Sequence, residues 1–148
     1  MKVKHLIYSI VAAAFLTSAM SVDKSLEVGK TAPKIETVEG TNVGYDANSE
    51  GKNKLVSFWT PKKPASRIAN RNLSLKYGSD SKENIEFISI CTDSDEDLMK
   101  EVMKMDGVKA DEAYSASEIS PRVFKDYGVE NSPRAFLISK DGKILEIL

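Results

Sequence analysis

Two short apolar runs, each followed by a segment of helical periodicity, constrain this chain more than any other feature. Leu55-Val56-Ser57-Phe58-Trp59 and Ile85 to Cys91 are β-prone, bounded by polar residues, and nearly continuous in their apolar character. Such runs suit strands buried on both faces rather than half-exposed ones. After the first, Pro61 and Pro64 break the strand, and Pro64 suits the first turn of a helix. Ala65, Ile68, Ala69, Leu73 and Tyr77 then recur at helical spacing, and Gly78 marks a stop. After the second, Thr92 to Asp97 makes an acidic helix start. Leu98, Met99, Val102, Met103 and Met105 follow, and Gly107 closes the helix.

The remainder extends the alternation. Lys34 to Val38 reads as a short edge strand, Glu39 to Asn53 as a loop rich in Gly, Asn, Asp and Ser, and Pro121 to Tyr127 as a short helix closed by Gly128. Ala135 to Ile138 and Ile144 to Leu148 are strands joined through the turn Lys140-Asp141-Gly142-Lys143. The expected class is α/β: a central mixed β-sheet flanked by helices on both faces.

The first 21 residues are a separate material. Lys2 and Lys4 precede an uncharged stretch from Leu6 to Leu16, followed by Thr17, Ser18, Ala19 and Ser21. A basic start, a short apolar run and small residues define a secretory signal peptide, with cleavage expected after Ser21 and, as second choice, after Ala19. The domain then spans 22–148, and the expected location is periplasmic or secreted. The apolar run is shorter than the roughly 20 residues of a spanning helix, so no stable membrane span is expected after cleavage; a retained N-terminal anchor is the alternative.

Removing residues 1–21 removes two lysines and no acid, which moves the formal net charge from −1 to −3. Neither value makes a polybasic surface, so no nucleic-acid partner is expected. The only histidine, His5, leaves with the leader. Its loss excludes Ser-His-Asp and Cys-His catalysis and the usual His-bearing zinc sites. Cys91 is the only cysteine, so no internal disulfide and no intrachain dithiol cycle can form. Asp93, Asp95 and Asp97 open like a calcium loop, but Leu98 stands where its glycine belongs. Helix capping accounts for these acids, and no metal or cofactor is expected.

Three signatures in order carry a resemblance. They are Val28-Gly29-Lys30-x-Ala32-Pro33, then Leu55 to Trp59 running through Arg67, then Tyr127-Gly128-Val129 with Pro133, Phe136-Leu137-Ile138 and Asp141-Gly142-Lys143-Ile144. Together they resemble the thioredoxin-like superfamily, in its branch of exported TlpA/ResA-type thiol-disulfide oxidoreductases and AhpC/TSA redoxins. The resemblance spans roughly Leu26 to Leu148 and implies a thioredoxin-like fold. It departs at the centre, where the family's Cys-Pro-Pro-Cys falls on Lys63-Pro64-Ala65-Ser66.

In that family the first cysteine sits at a helix N-terminus, where the dipole favours its thiolate, and the second resolves the mixed disulfide. Lys63 and Ser66 cannot do this chemistry, and no catalytic residue is expected here. A Ser-Lys dyad is conceivable in principle, but an exposed lysine and a first-turn serine are the simpler description. The resemblance implies a cis bond at Ser132-Pro133, with Pro133 facing the site. It also implies a closing helix after the hairpin, whereas this sequence ends at Leu148, so the expectation is either that the sequence is truncated or that another chain or an earlier segment covers Ile144, Leu145, Ile147 and Leu148.

The expected function is a redox-inactive, exported domain that binds a peptide or partner protein at the former groove, through Trp59, Lys63, Pro64, Ser132 and Pro133. The cationic helix start would suit a carboxylate or sulfate. The alternative is a monothiol redox or peroxidase enzyme using Cys91 with an external resolving thiol. A decayed relative without a function is a third reading.

Overall fold

The computed structural model describes residues 26–44 and 51–148. The leader of residues 1–21, with its cleavage sites, lies outside the described residues. The elements run β1 (Asn53–Trp59), α1 (Pro64–Tyr77), β2 (Ile85–Cys91), α2 (Glu96–Asp106), β3 (Glu112–Tyr114), α3 (Pro121–Asp126), β4 (Ala135–Ile138) and β5 (Ile144–Ile147). They form one five-stranded sheet in the order β3-β2-β1-β4-β5. β1 and β2 are parallel, with Trp59 opposite Cys91. β2 and β3 are also parallel, whereas β4 is antiparallel to both β1 and β5. The expected mixed sheet is therefore present.

Side-chain alternation along the strands sorts the two faces. Val56, Phe58, Ile88, Ile90, Phe136 and Ile138 build one core with Val123 and Tyr127 of the α3 segment. Phe58 and Phe136 each meet Tyr127, with ring centroids 5.1 and 5.0 Å apart. Leu55, Ser57, Trp59, Phe87, Ser89 and Cys91 point the other way, beneath α1 and α2, where two smaller clusters form.

α1 does not bury the stripe its apolar residues suggest. Leu73 and Tyr77 pack against Leu55 and Phe87, but Ile68 is 60% exposed, and the buried positions of the helix are Asn70 and Ser74. The reason lies in the floor beneath. Ser57 and Ser89 are buried hydroxyls on β1 and β2, and a buried hydroxyl without a partner is costly. Both donate to Asn70 Oδ1, at 2.8 and 3.4 Å, so the helix turns its amide inward. Ser74 Oγ accepts from Lys109 N–H at 2.7 Å. Gly78 ends the helix by close approach rather than by an unusual φ: a Cβ there would lie 2.3 Å from the Lys109 carbonyl oxygen.

α2 starts as expected, with the Asp95 carboxylate accepting from Leu98 N–H at 3.0 Å, and ends at Gly107 with φ 66°. Two other expectations are corrected. Lys34–Val38 is no strand: it makes only isolated bridges, Glu36 to Asn42 and Thr37 to Ile119. Strand β3 lies within a stretch that reads as merely polar. Of the alternatives for covering β5, an earlier segment is seen along its open edge: Gly29 N–H donates to the Ile144 carbonyl at 2.7 Å and Ile144 N–H to that of Lys30 at 2.9 Å. Ile144 is fully buried, whereas Leu145 and Leu148 remain 43% and 46% exposed.

Candidate functional site

The parallel strands β1 and β2 end side by side, and the loops leaving them converge at one edge of the sheet. Trp59 carries the chain out of β1, and Lys63 is the N-cap of α1, with Pro64 in its first turn. Lys63 makes no side-chain cap, because lysine has only donors and the helix start needs acceptors. The amide groups of that first turn therefore face the sheet edge uncapped.

The hydroxyl of Ser66 turns back into the loop and accepts from Thr60 N–H at 2.9 Å. It closes the turn between strand and helix, and this is a structural task. Lys62 reaches across to Asp93, in the loop after β2, at 2.8 Å. That contact holds the Asp93 carboxyl below the usual carboxylate range. Lys63 Nζ lies 3.5 Å from the carbonyl oxygen of Asn131, beside Ser132-Pro133. The two lysines thus tie the β1–α1 loop to both neighbouring loops. Arg67 clasps Asp106 at the end of α2, with Nε donating to Oδ2 at 2.8 Å, and keeps that carboxyl ionised to lower pH.

The structure divides the expected site residues into two groups. Lys63, Pro64 and Ser132 are exposed and Pro133 is half-buried, all at the same edge. Trp59 is not part of that surface: it is 1% exposed and packs with Cys91, Met99 and Val102 beneath α2. The expectation that it walls a groove is corrected, because large apolar area is worth most under a helix. Its Nε1 has no hydrogen-bond partner among the described residues.

Cys91 is fully buried in the same cluster. Its sulfur accepts a 3.4 Å contact from Asp93 N–H, and burial pushes the thiol up to about 11. At neutral pH it is a protonated thiol packed as a small hydrophobe. A second correction concerns the proline. No cis peptide bond occurs among the described residues, so Ser132-Pro133 is trans. The extended chain still reaches β1, with Phe58 N–H donating to the Arg134 carbonyl at 3.0 Å, so sheet pairing resumes without a cis bond.

The residues missed in the sequence are the clasps, Lys62–Asp93 and Arg67–Asp106. Their partners lie 31 and 39 positions apart, and no local spacing joins them.

The sheet order, the two helices over one face and the loop meeting at the strand ends define a thioredoxin-like α/β fold. The model of the Redoxin family matches residues 27–147, and the chain belongs to that family. It is 26% identical to the thiol-disulfide oxidoreductase ResA of Bacillus cereus over 158 aligned residues, covering 99% of this chain and 88% of the relative. The ResA protein of Bacillus anthracis matches equally, at 26% with the same coverage. Among solved structures, a thioredoxin-like protein from Parabacteroides distasonis superposes with a TM-score of 0.64 at 26% identity, covering 82% of this chain and 87% of the other. The thioredoxin domain of a thiol-disulfide oxidoreductase from Bacteroides vulgatus shares the fold, with a TM-score of 0.63 at 23% identity, covering 83% and 89%. Among the described residues no helix is long and apolar enough to cross a membrane.

Proposed function

We propose that this chain is an exported, redox-inactive member of the redoxin family that binds a peptide or partner protein at the edge formed by Lys63, Pro64, Ser132 and Pro133. One observation carries the reading. The position of the attacking thiol holds an exposed lysine, and that of the resolving thiol holds a serine whose hydroxyl is engaged with Thr60 N–H. Neither can form or exchange a disulfide. An ammonium beside uncapped helix amides suits a carboxylate on the bound partner. Export rests on the basic, apolar and small-residue pattern of residues 1–21.

The monothiol alternative needs an accessible thiolate, and a buried Cys91 with a raised pKa argues against it. The test is an assay of dithiol-driven disulfide reduction and of peroxide consumption. The wild type is expected to be silent in both, and a Lys63→Cys, Ser66→Cys double variant to gain disulfide reductase activity. Wild-type activity that disappears with Cys91→Ser would overturn the binding reading in favour of the monothiol enzyme.

A further inference from the structure

The other face of the sheet holds a second candidate site, remote from the α1 edge and independent of the reading above. A cleft of about 900 Å³ opens between the N-terminal segment from Leu26 to Glu36 and helix α3. That volume falls in the range of small-molecule sites, roughly 300–1,000 Å³. Its walls belong to distant parts of the chain and are pinned together at one end. Tyr127 Oη donates to the Pro33 carbonyl at 2.7 Å, and Ser120 N–H donates to that of Glu36 at 2.9 Å. Both anchors involve backbone carbonyls, and Tyr127 is buried against Phe58 and Phe136, so the cleft is held open by the core rather than by surface contacts.

The lining has two characters. Leu26, Pro33 and Val123 supply an apolar floor. Around it stand four cations and three acids, but these do not cancel pairwise. Asp126 is taken by Arg122 at 3.2 Å. Lys30, Lys34 and Lys125 are exposed and have no ion-pair partner among the described residues, and on the acidic side Glu36 is in the same position. With Glu27 counted, the lining holds four cations against three carboxylates, so a net charge of +1 remains and the three lysine ammonium groups leave the rim mildly electropositive. Each lysine can extend its stem along the apolar floor while offering three donors.

We infer that this cleft binds a small amphiphilic anion, a carboxylate on a compact apolar body, with the apolar part over Pro33 and Val123 and the carboxylate among Lys30, Lys34 and Lys125. The opposing Glu36 makes the site selective for single rather than multiple negative charge, because a second anionic group would be driven against it.

The probe is 2-naphthoate, titrated into the protein by calorimetry and by amide chemical shifts. One-to-one saturable binding is expected, with shifts confined to Lys30–Glu36 and Val123–Tyr127. The neutral analogue 2-naphthylmethanol is expected to bind at least fivefold more weakly. A Lys34→Gln, Lys125→Gln variant is expected to lose at least fivefold in affinity, and Glu36→Gln to gain. These side chains are exposed and unpaired, so thermal unfolding of each variant should match the wild type. No saturable binding, equal binding of the neutral analogue, or shifts centred on Lys63 and Pro64 would each overturn the inference. Silence at this cleft leaves the α1-edge reading intact, since the two lie on opposite faces.

Discussion

The two faces of the sheet are built on different principles. The face under α3 is a continuous apolar core in which Phe136 meets Phe58 and Tyr127 edge to face. The face under α1 is divided: its centre is the polar group Ser57, Ser89 and Asn70, and its helices are held by clasps such as Arg67–Asp106. Apolar packing is additive in area and tolerant of orientation, whereas hydrogen bonds specify one placement. The first face therefore supplies stability, and the second fixes where α1 begins, which is where the proposed binding edge lies. That placement does not depend on a thiol, because none of the groups that hold α1 is a cysteine.

The contrast is broken most directly by truncation on each side. Phe136→Ala should cost about 3–5 kcal/mol, as for other large-to-small changes in a full core. Against a typical total of about 5–15 kcal/mol, that brings the protein close to unfolding in a denaturant titration. Asn70→Ala should cost less, about 1–3 kcal/mol, because it strands the Ser57 hydroxyl. Replacing the polar group as a unit, with Ser57→Ala, Ser89→Ala and Asn70→Leu, should recover most of that loss while altering ligand binding at the α1 edge. If the triple variant were as unstable as Asn70→Ala, the division between a stabilising and a placing face would fail.

Titration sharpens the comparison further. Cys91 has its pKa raised on folding, so its contribution is fully present below the unfolded-state value and is lost as pH rises. Between about pH 9 and 11 stability should fall by up to about 1.4 kcal/mol per pH unit. Cys91→Ala should lack that component in urea melts. The same burial predicts that a thiol reagent labels Cys91 only after denaturation.

The smallest effect belongs to the clasps. Asp93 and Asp106 are held low by Lys62 and Arg67. Their support is therefore present above the unfolded carboxylate range and lost as pH falls through the lowered folded values, below about pH 4. Arg67→Met should move the acid unfolding midpoint upward, and salt should shrink the difference. An unchanged midpoint would mean that the clasp does not hold α1.

Much of the architecture was legible before any coordinates. The strands β1, β2 and β4, the hairpin turn, and the ends of α1 and α2 follow from apolar runs and from proline and glycine punctuation, which act within a few residues. Strand β3 was not legible: Glu112–Tyr114 is a three-residue edge strand with no alternation to read, and only its pairing with Ile88–Ile90 makes it a strand. Apolar periodicity marks Leu73 and Tyr77 of α1 as inward but gives no sign of Asn70, which the polar floor of Ser57 and Ser89 draws in while Ile68 stays exposed.

For the site, the sequence alone determined what chemistry is impossible. One cysteine cannot cycle as a dithiol, and Lys63 with Ser66 cannot replace the pair; these are statements about composition and position. Tertiary structure decided what occupies the space instead. It buried Trp59 and Cys91 under α2, left Ser132-Pro133 trans, and tied Lys62 and Lys63 to loops remote in sequence. Exposure and long-range pairing depend on which segments meet across the sheet, and no local pattern of residues encodes that meeting.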